Sequence, residues 1–248
     1  MQTPRLLYMA LALLWLLSPV TGHAQKEVTM EHAAWGALFG TVRVSKHNSV
    51  YADLHHINGT FTVARLGLVQ HLPQNINMIV GHSYAWLPVP GASTKALQRH
   101  EHRPWFQINV PQAISPNLSL ATRFRYDMRF RQRVEQSTLV SGYDFNHRLR
   151  LQETLRLDLP TLRIGETKPF LVLMDEILLN FGKNITHNTF DQNRLGLMAG
   201  IERQQLRLQA GYFNWFVQSG SVPNRYTMKH NYTVWLFYAL DLRKAHQE

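Results

Sequence analysis

From Asn193 to Leu242 the chain repeats with a period of two, and no helical stripe fits it. Leu195, Leu197, Ala199 and Ile201 alternate with Arg194, Gly196, Met198 and Gly200. After the polar break Glu202 to Gln205, Leu206, Leu208, Ala210 and Tyr212 alternate with Arg207, Gln209 and Gly211. Tyr232, Val234, Leu236, Tyr238, Leu240 and Leu242 then share one side of a third run. Successive side chains of a strand point to opposite faces, so each run is a strand with one apolar face. Whether that face touches a protein core or lipid decides most of what such a chain can be.

The rest of the chain follows the same rule. Runs at 33–44, 49–57, 61–72 and 76–87 read as strands, with Asn58-Gly59 as a tight turn because both residues accept a positive φ. From Leu118 to Arg131 a greasy face (Leu118, Leu120, Phe124, Tyr126, Met128, Phe130) opposes a charged one (Arg123, Arg125, Asp127, Arg129, Arg131). Between 144 and 159 Leu149, Leu151, Leu155 and Leu157 oppose Arg148, Arg150, Gln152, Thr154 and Arg156, and Glu153, breaking the pattern, reads as a bulge. Residues 169–182 are almost continuously apolar apart from Asp175-Glu176, which leaves their outward side undetermined.

The N-terminus reads as a cleaved secretory leader over 1–24: Arg5, the apolar stretch Leu6 to Leu17, then Gly22-His23-Ala24 as the cleavage site. That apolar stretch is shorter than the roughly 20 residues of a spanning helix. An exported chain without cysteine has no disulfides to stabilise it. Of its 248 residues, only 17% are charged, against about 25% in ordinary soluble proteins. No linker or low-complexity tract divides 25–248, so one barrel domain is expected there.

Three features assign the apolar faces to lipid. The runs are about 10 to 14 residues long, where soluble strands centre on five or six and membrane strands need about nine to eleven. Tyr84, Trp86, Tyr212 and Tyr238 sit near strand ends, as suits a water–lipid boundary. The opposite faces carry more arginine than a small soluble barrel could absorb. The expected fold is therefore an all-β, antiparallel, up-and-down transmembrane β-barrel of about 10–12 strands. Eleven runs are counted, and because single-chain bacterial barrels have even numbers, ten or twelve is the expectation, with the first run under suspicion.

Several segments carry a family resemblance: His102-Arg103-x-Trp105-x-Gln107, His147-Arg148-Leu149-Arg150-Leu151, Met174-Asp175-Glu176 leading to Asn180-Phe181-Gly182, and Phe190-Asp191-Gln192-Asn193-Arg194-Leu195. In these the chain resembles the exported domain-of-unknown-function 2490 family, and the likeness runs over nearly all of the mature chain. The resemblance implies a barrel in the outer membrane of a Gram-negative cell and no settled activity.

With the apolar faces outward, Arg123, Arg125, Arg129, Arg148, Arg150, Arg156 and Arg194 point inward, interleaved with Asp127 and Glu176, because like charges on adjacent strands repel. These nine residues are the lumen-lining candidates. Two readings stay open: a salt-bridge network that rigidifies a narrow barrel, or a lumen that attracts small anionic solutes through the guanidinium fork. The partners expected are outer-membrane lipid and lipopolysaccharide, the barrel-assembly machinery and small anions; nucleic acid is not expected despite the basic balance. No cofactor, catalytic or metal site is expected. The alternative is a lipid-modifying enzyme with a site at the rim, but His82 and Ser83 are strand neighbours facing opposite ways, and neither Gly-x-Ser-x-Gly nor His-Glu-x-x-His occurs. His100, Glu101 and His102 form the other cluster considered, for a metal.

Overall fold

The computed structural model describes residues 26–89, 91–92, 97–163 and 165–243; the expected leader lies outside them. Eleven strands follow in chain order: β1 Glu27–Arg43, β2 Asn48–Ile57, β3 Phe61–His71, β4 Asn77–Pro88, β5 Gln98–Ser115, β6 Leu118–Glu135, β7 Thr138–Asp158, β8 Lys168–Phe181, β9 Phe190–Arg203, β10 Leu206–Gln218 and β11 Arg225–Asp241. Each pairs antiparallel with its successor, and β1 closes the ring against β11. No helix among the described residues is long and apolar enough to cross a membrane, which says nothing about crossing by strands.

The expectation of ten or twelve strands is corrected. The count of eleven stands, and the suspect first run is β1 itself, lengthened to begin at Glu27. A closed ring of up-and-down strands with an odd number must contain one like-directed pair. Here β1 and β11 run parallel, in register from Glu27 with Arg225 to Arg43 with Asp241. The start of β1 and the end of β11 therefore lie at opposite ends of the barrel. The turns after β3, β5 and β9 share one end with the longer β7–β8 connection, while the connections after β4, β8 and β10 share the other with the short β6–β7 turn.

Two details of the strand reading also change. Glu153 is no bulge: it sits in register between Thr122 and Asp175, facing outward, and accepts the Thr122 hydroxyl at 2.8 Å. The irregularities fall instead between Ala113 and Ser115, Gln132 and Val134, and Leu178 and Leu179. The turn between β6 and β7 has no glycine. Gln136 and Ser137 take the two positive φ values themselves, so neither strand end was marked by composition.

Side chains alternate in and out on every strand, which settles the ambiguous run: Phe170, Val172, Met174, Glu176 and Leu178 turn inward, and Leu171, Leu173, Asp175 and Ile177 outward. The outer face is leucine-rich and exposed, reaching 70% at Leu68, whereas Glu101 and Asp127 inside are 0% exposed. Inside, Gly67 and Gly81 leave room for the Trp105 indole. A Cβ on Gly81 would stand 2.4 Å from the Leu66 carbonyl oxygen and 2.6 Å from the Trp105 ring.

The parallel seam can be tested by cross-linking, because the chain has no native cysteine. Leu38 and Leu236 are direct partners on the outer face, within the roughly 4.4–6.8 Å Cα separation a disulfide spans. The double variant Leu38→Cys, Leu236→Cys is expected to form an intramolecular disulfide on oxidation. A ten-strand ring joining β11 to β2 would leave the two thiols free on mass spectrometry.

Candidate functional site

Two carboxylates organise the interior. Glu101 on β5 receives Arg103 Nε at 2.6 Å, Arg129 Nε at 2.5 Å and Arg131 Nε at 2.8 Å. Glu176 on β8 receives Arg123 Nη2 at 2.6 Å, Arg150 Nη2 at 2.7 Å and Arg194 Nη1 at 3.2 Å. The spacing follows from the pleat: residues two apart on a strand share a face, and cross-strand neighbours stand close enough for long side chains to meet. Arg125 pairs with Asp127 at 2.7 Å, Arg148 with Asp191 at 2.7 Å and Arg65 with Asp53 at 2.7 Å. The irregularity beside Leu179 places Asp191 out of the regular phase, so that it and Gln192 are both buried.

Among the described residues, these nine arginines meet five carboxylates, so the interior keeps a cationic excess. Charge-assisted hydrogen bonds of this kind are the strong ones, and burial denies them competition from bulk water. Cation–π stacking supplies further support. The Arg125 guanidinium lies 4.2 Å from the Trp105 ring centroid and that of Arg194 lies 4.0 Å from Trp215.

All nine sequence-predicted residues lie on the inner face. Arg123, Arg125, Arg129, Arg148, Arg150, Arg156, Glu176 and Arg194 line one cavity of about 430 Å³, and Asp127 is buried in the wall beside Arg125. Arg156 stands apart from the two hubs, bonded to Asp158 and to Glu202, each at 2.8 Å. Ser83 faces inward and is 0% exposed, with Arg125 Nη2 at 3.4 Å from its Oγ, while its neighbour His82 packs at a tilt against His102 on the opposite face. The cluster at 100–102 is divided the same way: Glu101 turns inward to its arginines, and His100 and His102 pack with Tyr84 on the other side.

What the sequence did not reveal is the other wall. Trp35 and Phe39 of β1, Phe213 and Trp215 of β10, and Trp235 and Phe237 of β11 form an aromatic cluster facing the arginines across the cavity. Trp35 meets Trp235 at 4.7 Å and Trp215 at 5.3 Å between ring centroids, and its Nε1 donates to His55 Nδ1 at 3.0 Å. A signal existed. Phe213 and Trp215 share the phase of Arg207 and Gln209, so extending the alternation past Tyr212 puts them inside.

The interior is thus a closed eleven-strand β-barrel chamber with one arc of arginine and one of aromatic rings. The sequence matches the family described as Protein of unknown function (DUF2490) over residues 32–227, and the chain belongs to that family. No curated protein and no solved structure matches it.

The hubs predict unequal costs of charge removal. Glu101→Gln leaves three guanidinium groups uncompensated and is expected to lower unfolding stability by about 3–5 kcal/mol. Glu166→Gln, at an exposed 3.3 Å pair with Arg203, is expected to cost less than about 1 kcal/mol. Urea titrations of the two variants against the parent check this; equal midpoints would defeat the hub assignment.

Proposed function

We propose that the protein is an integral β-barrel of a Gram-negative outer membrane whose narrow, cationic lumen holds small anions and does not conduct them freely. The observation that carries this reading is the inverted distribution of polarity. More than thirty large apolar side chains are exposed, most of them on the outer strand faces, among them Leu66, Leu68, Val80, Leu197 and Val234, while nine arginines and five carboxylates are paired inside. Exposed patches beyond a few hundred Å² mark contact with an apolar partner, and moving one leucine-sized side chain out of water is worth about 1.5–3 kcal/mol. A belt running round the whole barrel fits acyl chains on every side.

Aromatic and histidine rings on the outer face support the same placement. Tyr84, Trp86, His100 and His102 form one group, and Tyr212, Tyr232 and His230 another. Such amphipathic rings suit the headgroup boundary. The outward carboxylates Glu153 and Asp175 each accept a hydrogen bond, from Thr122 and from Asn193 Nδ2, which lessens their cost in an apolar setting. Lumen packing speaks against a wide channel: Arg125 is 4% exposed, Arg129 3% and Glu176 3%, where a water-filled pore would leave them wet. Outer-membrane lipid and the assembly machinery are then the partners of the outer surface, and small anions those of the lumen.

Fractionation with heat-modifiability tests the membrane reading. The protein is expected in the outer-membrane fraction after a high-salt wash, with an electrophoretic mobility in detergent that shifts on boiling. Recovery as a soluble periplasmic monomer would sink it. In planar bilayers the expected conductance is small and anion-favouring; large, unselective steps would overturn the packed lumen.

A further inference from the structure

At the end of the barrel where β7 ends and β10 begins, the chamber holds a guanidinium, that of Arg207, which makes no ion pair among the described residues. The Arg207 guanidinium stacks over Phe237, 3.8 Å from the ring centroid, and its Nε is buried without a hydrogen-bond partner among the described residues. The carboxylate placed to meet it is that of Glu202, directly opposite on β9. Glu202 is already engaged by Arg156 Nη1 at 2.8 Å, and Arg156 stacks in turn over Phe170 at 4.1 Å. Arg156 thus holds both Glu202 and Asp158, and Arg207, likewise backed by an aromatic ring, is bonded to neither. Arg156 and Arg207 both line the chamber, as do Met174, Met198 and Trp235.

We propose that this chamber is a binding site for one small amphipathic organic anion. Its carboxylate, sulfonate or phosphate head sits at Arg207 beside Arg156, and its hydrocarbon or aromatic body lies along Met174, Met198 and Trp235. The two walls impose that class. A bare inorganic anion would satisfy the guanidinium groups and leave the apolar wall wet, whereas a neutral apolar solute would bury Arg207 without a counter-charge. The volume, about 430 Å³, lies in the small-molecule range of roughly 300–1,000 Å³. Arginine is suited to the head because its planar fork can bind an oxyanion through two donors while stacking on a ring. This rests on the reading of the lumen as a cationic holding site, and it is independent of where the barrel resides.

The test uses the full chain, purified in a neutral maltoside detergent and first checked for a heat-modifiable fold. Naphthalene-2-sulfonate is titrated by calorimetry, with tryptophan fluorescence in parallel, against inorganic sulfate and the neutral 2-naphthalenemethanol. Saturable one-site binding of the sulfonate is expected, at least about tenfold tighter than sulfate or the neutral alcohol, a gap of about 1.4 kcal/mol. Arg207→Gln removes a cation without orphaning any carboxylate, so the fold and its urea midpoint should persist while affinity falls about tenfold. Trp235→Leu should weaken the sulfonate and leave sulfate unchanged. Sulfate binding as tightly as the sulfonate, or Arg207→Gln binding like the parent, would overturn the amphipathic site and keep the cationic lumen. Absence of any anion binding would overturn both, whatever the fractionation result.

Discussion

A β-sheet with free edges leaves a row of backbone N–H and C=O groups unpaired, and closing the sheet on itself removes both edges. This requirement, met by an odd number of strands, determines the rest of the molecule. Ten hairpin-linked neighbours can alternate in direction, but the eleventh contact must join two like-directed strands, so β1 and β11 pair in parallel along the whole of β1. The seam brings Trp35 against Trp235 and, through β10, against Trp215, contacts between residues about two hundred positions apart. Without the seam Trp35 and Phe39 would not join the rings of β10 and β11.

The opposite arc is built from strands that follow one another in sequence, and there electrostatics takes over. Guanidinium groups on adjacent inner faces would repel, and burial would make each unpaired one costly. Placing Glu101 and Glu176 each within reach of three arginines turns that repulsion into two hubs spanning β5–β6 and β6–β9. The hubs leave cationic character in excess. Arg207, at the join between the two arcs, is where that excess meets aromatic surface without a carboxylate of its own.

Much of this was legible in one dimension. A period of two needs only neighbouring residues to be read, and it assigned Leu195, Leu197, Leu206, Leu208 and Leu236 to one face and Arg123, Arg125, Arg129, Arg148 and Arg150 to the other. Arg194 and Glu176 were both expected in the lumen, and their ion pair, from a run whose phase the sequence left open, came from the structure. The aromatic wall was harder, because Trp35 belongs to a run far in the chain from those of Trp215 and Trp235, and aromatic rings fit either face of a barrel. The Gln136-Ser137 turn escaped because nothing in its composition announces positive φ.

By itself, then, the sequence determined the strand character, the inside-out polarity and the cationic lining, since each depends on local alternation and side-chain type. Strand parity, the parallel seam, the role of Glu101 as a hub and the meeting of the aromatic arc with Arg207 were decided only by the tertiary structure. These depend on which distant strands close the ring and in which register, and hydrogen-bond closure sets that for the sheet as a whole.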